Sequence, residues 1–428
     1  IGCLLLSVIL PLLTKAGEWP TWRGPQGNGL SQETKVPAKW STTENVTWRV
    51  ELPGPGNSSP IVSKEKVFIT QATDSGKNRS LICFDRHMGQ KLWERTVSFP
   101  EKEPTHKTNP FCSASPSTNG KVVVVNHGSA GMFAYDFSGK ELWRRVDLGS
   151  QRHIWGTAAS PVPYGNTFIQ HRGPGPRVFL IALAADTGKT LWKRDLPKAQ
   201  GKDEKHWFGS WSTPVLRNNH GRDELLLGLP KRLVAFDPKT GEAIWWCEGL
   251  GDLVYNNAAS TGDYVMATSG YGGPALGVKA GKDASGDITS QRLWVTTKRN
   301  LQRIGTGALV GDHYYILTEP GILQCIEVAT GKIVKQTRVG KGGNWSSVSL
   351  VGRKLYVTNQ GGQTLILSAK PDFDVLTTNP ANEMTRGSPA FSDGQVFLRT
   401  YEHLWCWGKR SEERRVGKEC RSRWSPYH

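Results

Sequence analysis

Eight side chains of ligand-binding types, His153, Trp155, Trp211, Asn257, Arg303, Trp345, Glu383 and Arg386, stand just ahead of a small-residue phrase that recurs along the chain. Trp offers a flat face to an aromatic or sugar ring, Arg a charge that persists at every physiological pH, and His a donor or acceptor that changes near neutrality. Connecting turns ordinarily favour Gly, Asn, Asp and Ser, so this enrichment points to a binding surface for a small molecule, a glycan or a protein. Asn57, Asn109, Tyr255, Asn256, Gln302 and Asn344 occupy the same places, and His127, His171, Arg172 and Tyr271 fall in the loops that follow. The competing reading, strongest for Trp207 and Trp345, makes the tryptophans plugs of a central channel. His106, His220 and His313 read as surface or turn residues. No catalytic residue and no metal ligand is assigned, because the chain holds no H-E-x-x-H, EF-hand, Walker loop or G-x-S-x-G elbow.

What could bring these residues together is a repeat. Phe84-Asp85 to Gly89 and Trp93 returns as Tyr135-Asp136 to Gly139 and Trp143, as Asp186-Thr187-Gly188 to Trp192, and as Phe236-Asp237 to Gly241 and Trp245. Worn copies end at Trp294, without the Asp and Gly, and at Lys335. Spacings near fifty residues match one four-stranded propeller blade. In each copy an alternating strand ends at an Asp that satisfies turn amides, Gly supplies positive φ, and the return strand carries Trp. Trp93, Trp143, Trp192, Trp245 and Trp294 are therefore read as plugs that fill the wedge between neighbouring blades. Charges that follow them, such as Arg144-Arg145, guard an open sheet edge.

The small-residue phrase marks each innermost strand, where side chains crowd a channel: Ser58-Ser59-Pro60, Ala114-Ser115-Pro116, Ala159-Ser160-Pro161, Ser212-Thr213-Pro214, Ala258-Ala259-Ser260, Gly305-Thr306-Gly307, Ser346-Ser347-Val348 and Gly387-Ser388-Pro389. Eight phrases predict an all-β, eight-bladed propeller over 45–409, with seven blades as the alternative because the later copies are degenerate. The eighth phrase is followed by too few strands. Asn45 to Leu52, a lone alternating strand carrying Trp48, is expected to complete the last blade as its outer strand, with 17–44 lying over the outside or one face.

Composition fits this architecture. The 428 residues include 48 Gly, 25 Pro and 17 Trp, which short strands and tight turns use and helix-rich proteins do not. Leu4 to Leu13 is too short to span a bilayer and reads, with Thr14-Lys15-Ala16, as the core and cleavage site of an N-terminally truncated signal peptide over 1–16. An exported chain, periplasmic or extracellular, is expected. Residues 410–428 lack apolar periodicity and resemble the translation of a common short-read sequencing adapter, so they are read as read-through. Without them the net charge falls from +17 to +14. The remaining basic charge is dispersed, which predicts neither a nucleic-acid partner nor a membrane span, and the chain is expected to be a monomer. Seven cysteines, at 3, 83, 112, 247, 325, 406 and 420, show no C-x-x-C and no adjacent pair.

The D-x-x-T-G-x-x-x-W phrase, the small-residue strand starts and Trp19-Pro20-Thr21-Trp22-Arg23-Gly24-Pro25 resemble the secreted bacterial propellers of the pyrroloquinoline-quinone-like (PQQ-like) repeat family, over residues 19 to 409. The family includes quinoprotein dehydrogenases and the lipoprotein scaffold of outer-membrane barrel assembly, so the resemblance implies either a binding or scaffold module or a minimal oxidoreductase with PQQ and Ca²⁺ at the mouth. Family dehydrogenases imply a catalytic Asp and a disulfide between adjacent cysteines, and some append a C-x-x-C-H haem signature. This sequence has neither the cysteine pair nor the haem signature, which argues against the enzyme.

Overall fold

The computed structural model describes residues 17–197, 208–296, 300–301, 303–340 and 342–408. The apolar run over 1–16, Trp207, Gln302 and the tail over 410–428 lie outside the described residues. The chain forms eight antiparallel sheets of four principal strands each. Blade 1 runs through Ile61–Ser63, Lys66–Thr73, Asn78–Asp85 and Lys91–Ser98, from innermost to outermost strand, and the next six blades repeat that order along the chain. Blade 8 takes its inner three strands from Ala390–Ser392, Gln395–Arg399 and His403–Trp407 and its outer strand from Val46–Glu51. Trp48 pairs with Cys406 and Glu51 with His403, so the two ends of the chain meet in one sheet, the circle closes, and the seven-blade alternative falls away.

The outer-strand tryptophans work as a chain of locks. The Trp93 indole N–H in blade 1 donates to the Phe137 carbonyl in the turn of blade 2 at 3.1 Å. Trp143 reaches Ala185 O at 2.7 Å, Trp192 reaches Pro238 O at 3.1 Å, Trp294 reaches Val328 O at 2.6 Å, and Trp48 reaches Arg86 O at 2.7 Å. Each ring packs against the glycine of that neighbouring turn. Gly188 has φ +66°, and a Cβ there would stand 2.6 Å from the Trp143 ring, so the glycine is needed for both conformation and space. Lys335 holds the tryptophan's place in blade 6, and its ammonium donates to the carbonyls of Asp372 and Phe373 at 2.9 and 2.6 Å. Arg145, read as an edge charge, and Arg95, which follows Trp93 in the same way, also reach across to the Gly188 and Gly139 carbonyls at 2.9 and 2.6 Å.

Trp245 departs from the pattern. It is fully buried and donates to Glu224 Oε2 of its own blade at 3.2 Å. The connection that should supply its glycine instead folds back, and Gly286–Asp287 pairs in parallel with Trp245 and Trp246. That detour explains why the copy ending at Trp294 lacks Asp and Gly.

At the innermost strands the phrases are joined to one another. The backbone N–H of Ser59 donates to Ser115 Oγ, Ser115 to Ser160 Oγ, Ser160 to Thr213 Oγ1, and Thr213 to Asn257 Oδ1. Asn257 continues to Thr306 Oγ1, Thr306 to Ser347 Oγ, Ser347 to Ser388 Oγ, and Ser388 returns to Ser59 Oγ. All eight distances lie between 2.8 and 3.1 Å. The ring corrects the fifth phrase, which is Asn256-Asn257-Ala258 and not Ala258-Ala259-Ser260, because the position must carry an acceptor oxygen.

Residues 17–44 do more than lie over the outside. Trp19 exchanges backbone bonds with Val62 of blade 1 at 2.8 and 2.9 Å, and Pro20 O accepts from Thr118 N–H of blade 2 at 2.9 Å. The Arg23 guanidinium then reaches Thr306 O and Gly307 O, ahead of blade 6, at 3.0 and 2.7 Å. Leu30–Ser31 pairs in parallel with the inner strand of blade 7. The extension thus bridges one end of the channel, and Trp40 finally packs on Trp407 at 5.8 Å.

Trp48 is 7% exposed and locks the closing strand to blade 1. Trp48→Ala should cost about 3–5 kcal/mol, read as a lowered urea midpoint. Deletion of 45–52 should abolish cooperative unfolding, and a monomeric deletion variant that melts like the parent would contradict closure by this strand.

Candidate functional site

The loops that lead into the inner strands and those between second and third strands gather at the end of the channel opposite the bridging extension. Two walls face each other there. One is aromatic and comes from blades 3, 4 and 5: Trp155 stacks on Tyr271 with centroids 5.4 Å apart and 20° between planes, and Trp211 meets Trp155 at 5.7 Å and Tyr255 at 5.0 Å. His153 stands edge-on to Trp211 at 4.9 Å. The other wall is cationic and comes from blades 7, 8 and 1. The Arg386 guanidinium lies over the Trp345 ring at 4.6 Å and the Tyr401 ring at 5.4 Å, and it also bonds the Tyr401 hydroxyl. That hydroxyl donates to Asn57 Oδ1 at 3.2 Å, and Trp345 Nε1 is held by Glu319 Oε1 at 2.7 Å.

Between the walls lies a cavity of about 220 Å³. Ser59, Ser160, Thr213 and Ser388 of the hydrogen-bonded ring form its waist, and Trp22 of the extension lies below. None of the described residues lining it is acidic.

The structure sorts the predicted residues. Trp155, Trp211, Trp345 and Arg386 line the cavity. Trp155 is half-buried, whereas Trp211 is 7% exposed and donates its indole N–H to Gly156 O at 2.8 Å, so it backs the wall more than it fronts it. His153 sits behind Trp211 and accepts the backbone N–H of Trp155 on Nδ1 at 3.2 Å. Three residues are placed elsewhere. Asn257 is a member of the ring. Arg303 is buried and donates to Gln324 Oε1 at 3.0 Å. Glu383 accepts from His403, Trp405 and Thr400 at 2.9, 3.0 and 2.5 Å, which occupies its carboxylate within blade 8 and its entrance loop.

Sequence reasoning missed Tyr401, Trp22 and the exposed His106, all of which border the site or its walls. Tyr401 occupies in blade 8 the loop that holds Tyr271 in blade 5, so the repeat register carried that signal. His106 is a surface residue as expected, but its place on the surface is the cavity rim.

Buried cations and neutral imidazoles surround the mouth. Arg172 donates to Asn126 Oδ1, Gly128 O and Gly149 O at 3.1, 3.0 and 2.7 Å, and burial pulls its pKa down to about 9. Burial, and secondarily the charge of Arg79, pulls His127 down to about 3. Burial likewise holds His153 and His171 at about 4. His171 Nδ1 lies 3.0 Å from Ser212 O, so the neutral ring carries its proton there.

Residues 31–111 and 210–337 match a family model described as outer membrane protein assembly factor BamB. No curated protein gives a significant sequence match. Among solved structures, BamB from Moraxella catarrhalis superposes with TM-score 0.57 at 14% identity, covering 86% of this chain and 98% of that one. A quinohemoprotein alcohol dehydrogenase from Comamonas testosteroni gives 0.65 at 12% identity, over 92% and 81%. A europium-containing methanol dehydrogenase gives 0.64 at 10% identity, over 92% and 98%. At these identities the likeness is one of fold.

The three imidazoles are neutral in the folded protein and titrate near 6.5 when unfolded. Between about pH 6.5 and 4 the unfolded chain binds more protons, so stability is full above 6.5 and falls as pH drops. Thermal melts at pH 7.5, 6 and 5 should show that decline, with His171→Gln reducing its slope; a flat profile would contradict neutral burial.

Proposed function

This chain is a member of the PQQ-like repeat β-propeller family, and from that premise we propose that it is a binding module whose channel mouth takes a small ring-bearing anion. One observation carries the reading: the stacked aromatic wall of Trp155, Trp211, Tyr255 and Tyr271 faces the Arg386 guanidinium across a cavity with no acidic lining residue among those described. A planar or sugar ring stacks on the first wall while its carboxylate pairs with the second. An anionic aromatic or an acidic glycan meets both demands. A neutral ligand leaves the cation side unused.

The quinoprotein alternative shares the ring and the negative charge but not the metal. Ca²⁺ is held by oxygen donors, carboxylates above all; no described residue lining the cavity is acidic, Glu319 accepts from Trp345, and Glu383, which lies with Glu402 and His403 in blade 8 and its entrance loop, accepts from His403, Trp405 and Thr400. The five described cysteines are all buried and none stands next to another in the sequence. This donor set does not fit a Ca²⁺-bound quinone. A protein ligand at the same face is the scaffold version of the reading, which the name of the matching family model favours.

We also place the chain outside the cytoplasm, periplasmic or extracellular, as a monomer without a nucleic-acid partner. Leu4 to Leu13 as a signal core and the outer-membrane assembly description support the location. No helix among the described residues is long and apolar enough to cross a membrane.

Calorimetric titration with 2-naphthoate, glucuronate and the neutral 2-naphthol tests the mouth. The parent should prefer an anion to the neutral analogue, and Trp155→Ala and Arg386→Ala should each weaken it at least tenfold while melting stays within about 2 °C. Equal binding of neutral and anionic rings, or losses of stability matching losses of affinity, would contradict the reading.

A further inference from the structure

Trp19-Pro20-Thr21-Trp22-Arg23-Gly24-Pro25 is anchored far more firmly than a covering tail requires. Arg23 is 2% exposed and donates to three carbonyls, those of Thr306, Gly307 and Asn28, at 3.0, 2.7 and 2.8 Å. A backbone turn closes between Thr21 and Gly24, with Gly24 N–H on Thr21 O at 3.0 Å and Thr21 Oγ1 on Gly24 O at 2.6 Å. Gly24 lies against the Trp19 ring. Trp22, at the centre of that turn, is the residue this framework presents to the channel.

Behind the mouth cavity is a second one of about 550 Å³, bordered by Pro163, Tyr164 and Leu216 among others. Trp22, Ser160 and Thr213 line both cavities. The two serine and threonine positions are fixed in the ring, which leaves the indole as the movable part of the partition.

We propose that Trp22 is a specificity-determining residue: it is the floor that divides the channel into two cavities and limits how deeply a ring-bearing ligand enters the mouth. The ligand part of this claim rests on the binding reading above, whereas the partition does not. A flat indole ends the cavity and offers one more stacking face. A rigid molecule longer than the mouth cavity is stopped there. Removing the indole joins the two spaces and admits it.

The partition is tested first on the full chain with Cys3→Ser and Cys420→Ser, leaving the five buried cysteines. Trp22→Cys should react with a small methanethiosulfonate reagent while the parent of that background stays unmodified. Resistance of the folded variant would overturn the partition. Depth is tested by calorimetry with 2-naphthoate and the longer 4-terphenylcarboxylate. Trp22→Ala should bind the terphenyl acid at least tenfold more tightly than the parent and 2-naphthoate several-fold more weakly, and Trp22→Phe should restore the parent's order. Equal terphenyl affinity in parent and Trp22→Ala, with 2-naphthoate bound by both, would overturn the depth limit. If Trp22→Cys is modified but the parent binds neither acid, the mouth's ligand reading fails and the partition stands.

Discussion

The closed ring of eight backbone-to-side-chain hydrogen bonds at the innermost strands is the constraint on which the rest of this propeller depends. Every ring residue is buried, so each backbone N–H must find a partner inside the protein, and leaving one unmet costs about 1–3 kcal/mol. The partner is always the next blade's side-chain oxygen. Five of the eight positions precede proline, which holds the residue extended and keeps its N–H pointed along the circle. Because a ring of this kind closes only with all members in register, it sets the phase of the blades and the width of the channel together.

The outer circumference solves a different problem by a related device. Twisted sheets splay as they leave the axis, and the outer-strand tryptophans fill the gap while their indole N–H groups satisfy turn carbonyls of the neighbouring blade. The inner ring runs from every blade to its neighbour around the circle, and the outer locks run the same way from blades 1, 2, 3, 5, 6 and 8. The last blade has no following segment to lock against except blade 1, which is why Trp48 must come from the far end of the chain.

These two circles also explain what the sequence disclosed. The Asp-to-Gly-to-Trp phrase reports a turn, a bulge and a wedge at fixed spacing, so blade length and register could be read from it, while the count of small-residue phrases gave the blade number and the need for a closing strand. The inner phrase was legible only as smallness. A hydroxyl and a methyl look alike on that criterion, so Asn257, larger than its counterparts, reads as a ligand-binding residue and its phrase falls too late. The candidate site was half legible: aromatic and cationic residues before strand starts group correctly, yet Glu383 and Arg303 can be told from Arg386 only once their partners are visible. Trp22 lies outside any repeat, and no periodic signal marks a segment that crosses the axis once.

If the ring phases the blades, it opens only when the whole propeller does. Native-state hydrogen exchange on the amides of Ser59, Ser115, Thr213, Thr306 and Ser388 measures this directly. Opening free energies equal to that of global unfolding, with the same denaturant dependence for all five, are the predicted result. Exchange of any of them through a smaller, denaturant-independent opening would show that the blades are phased by something other than the ring.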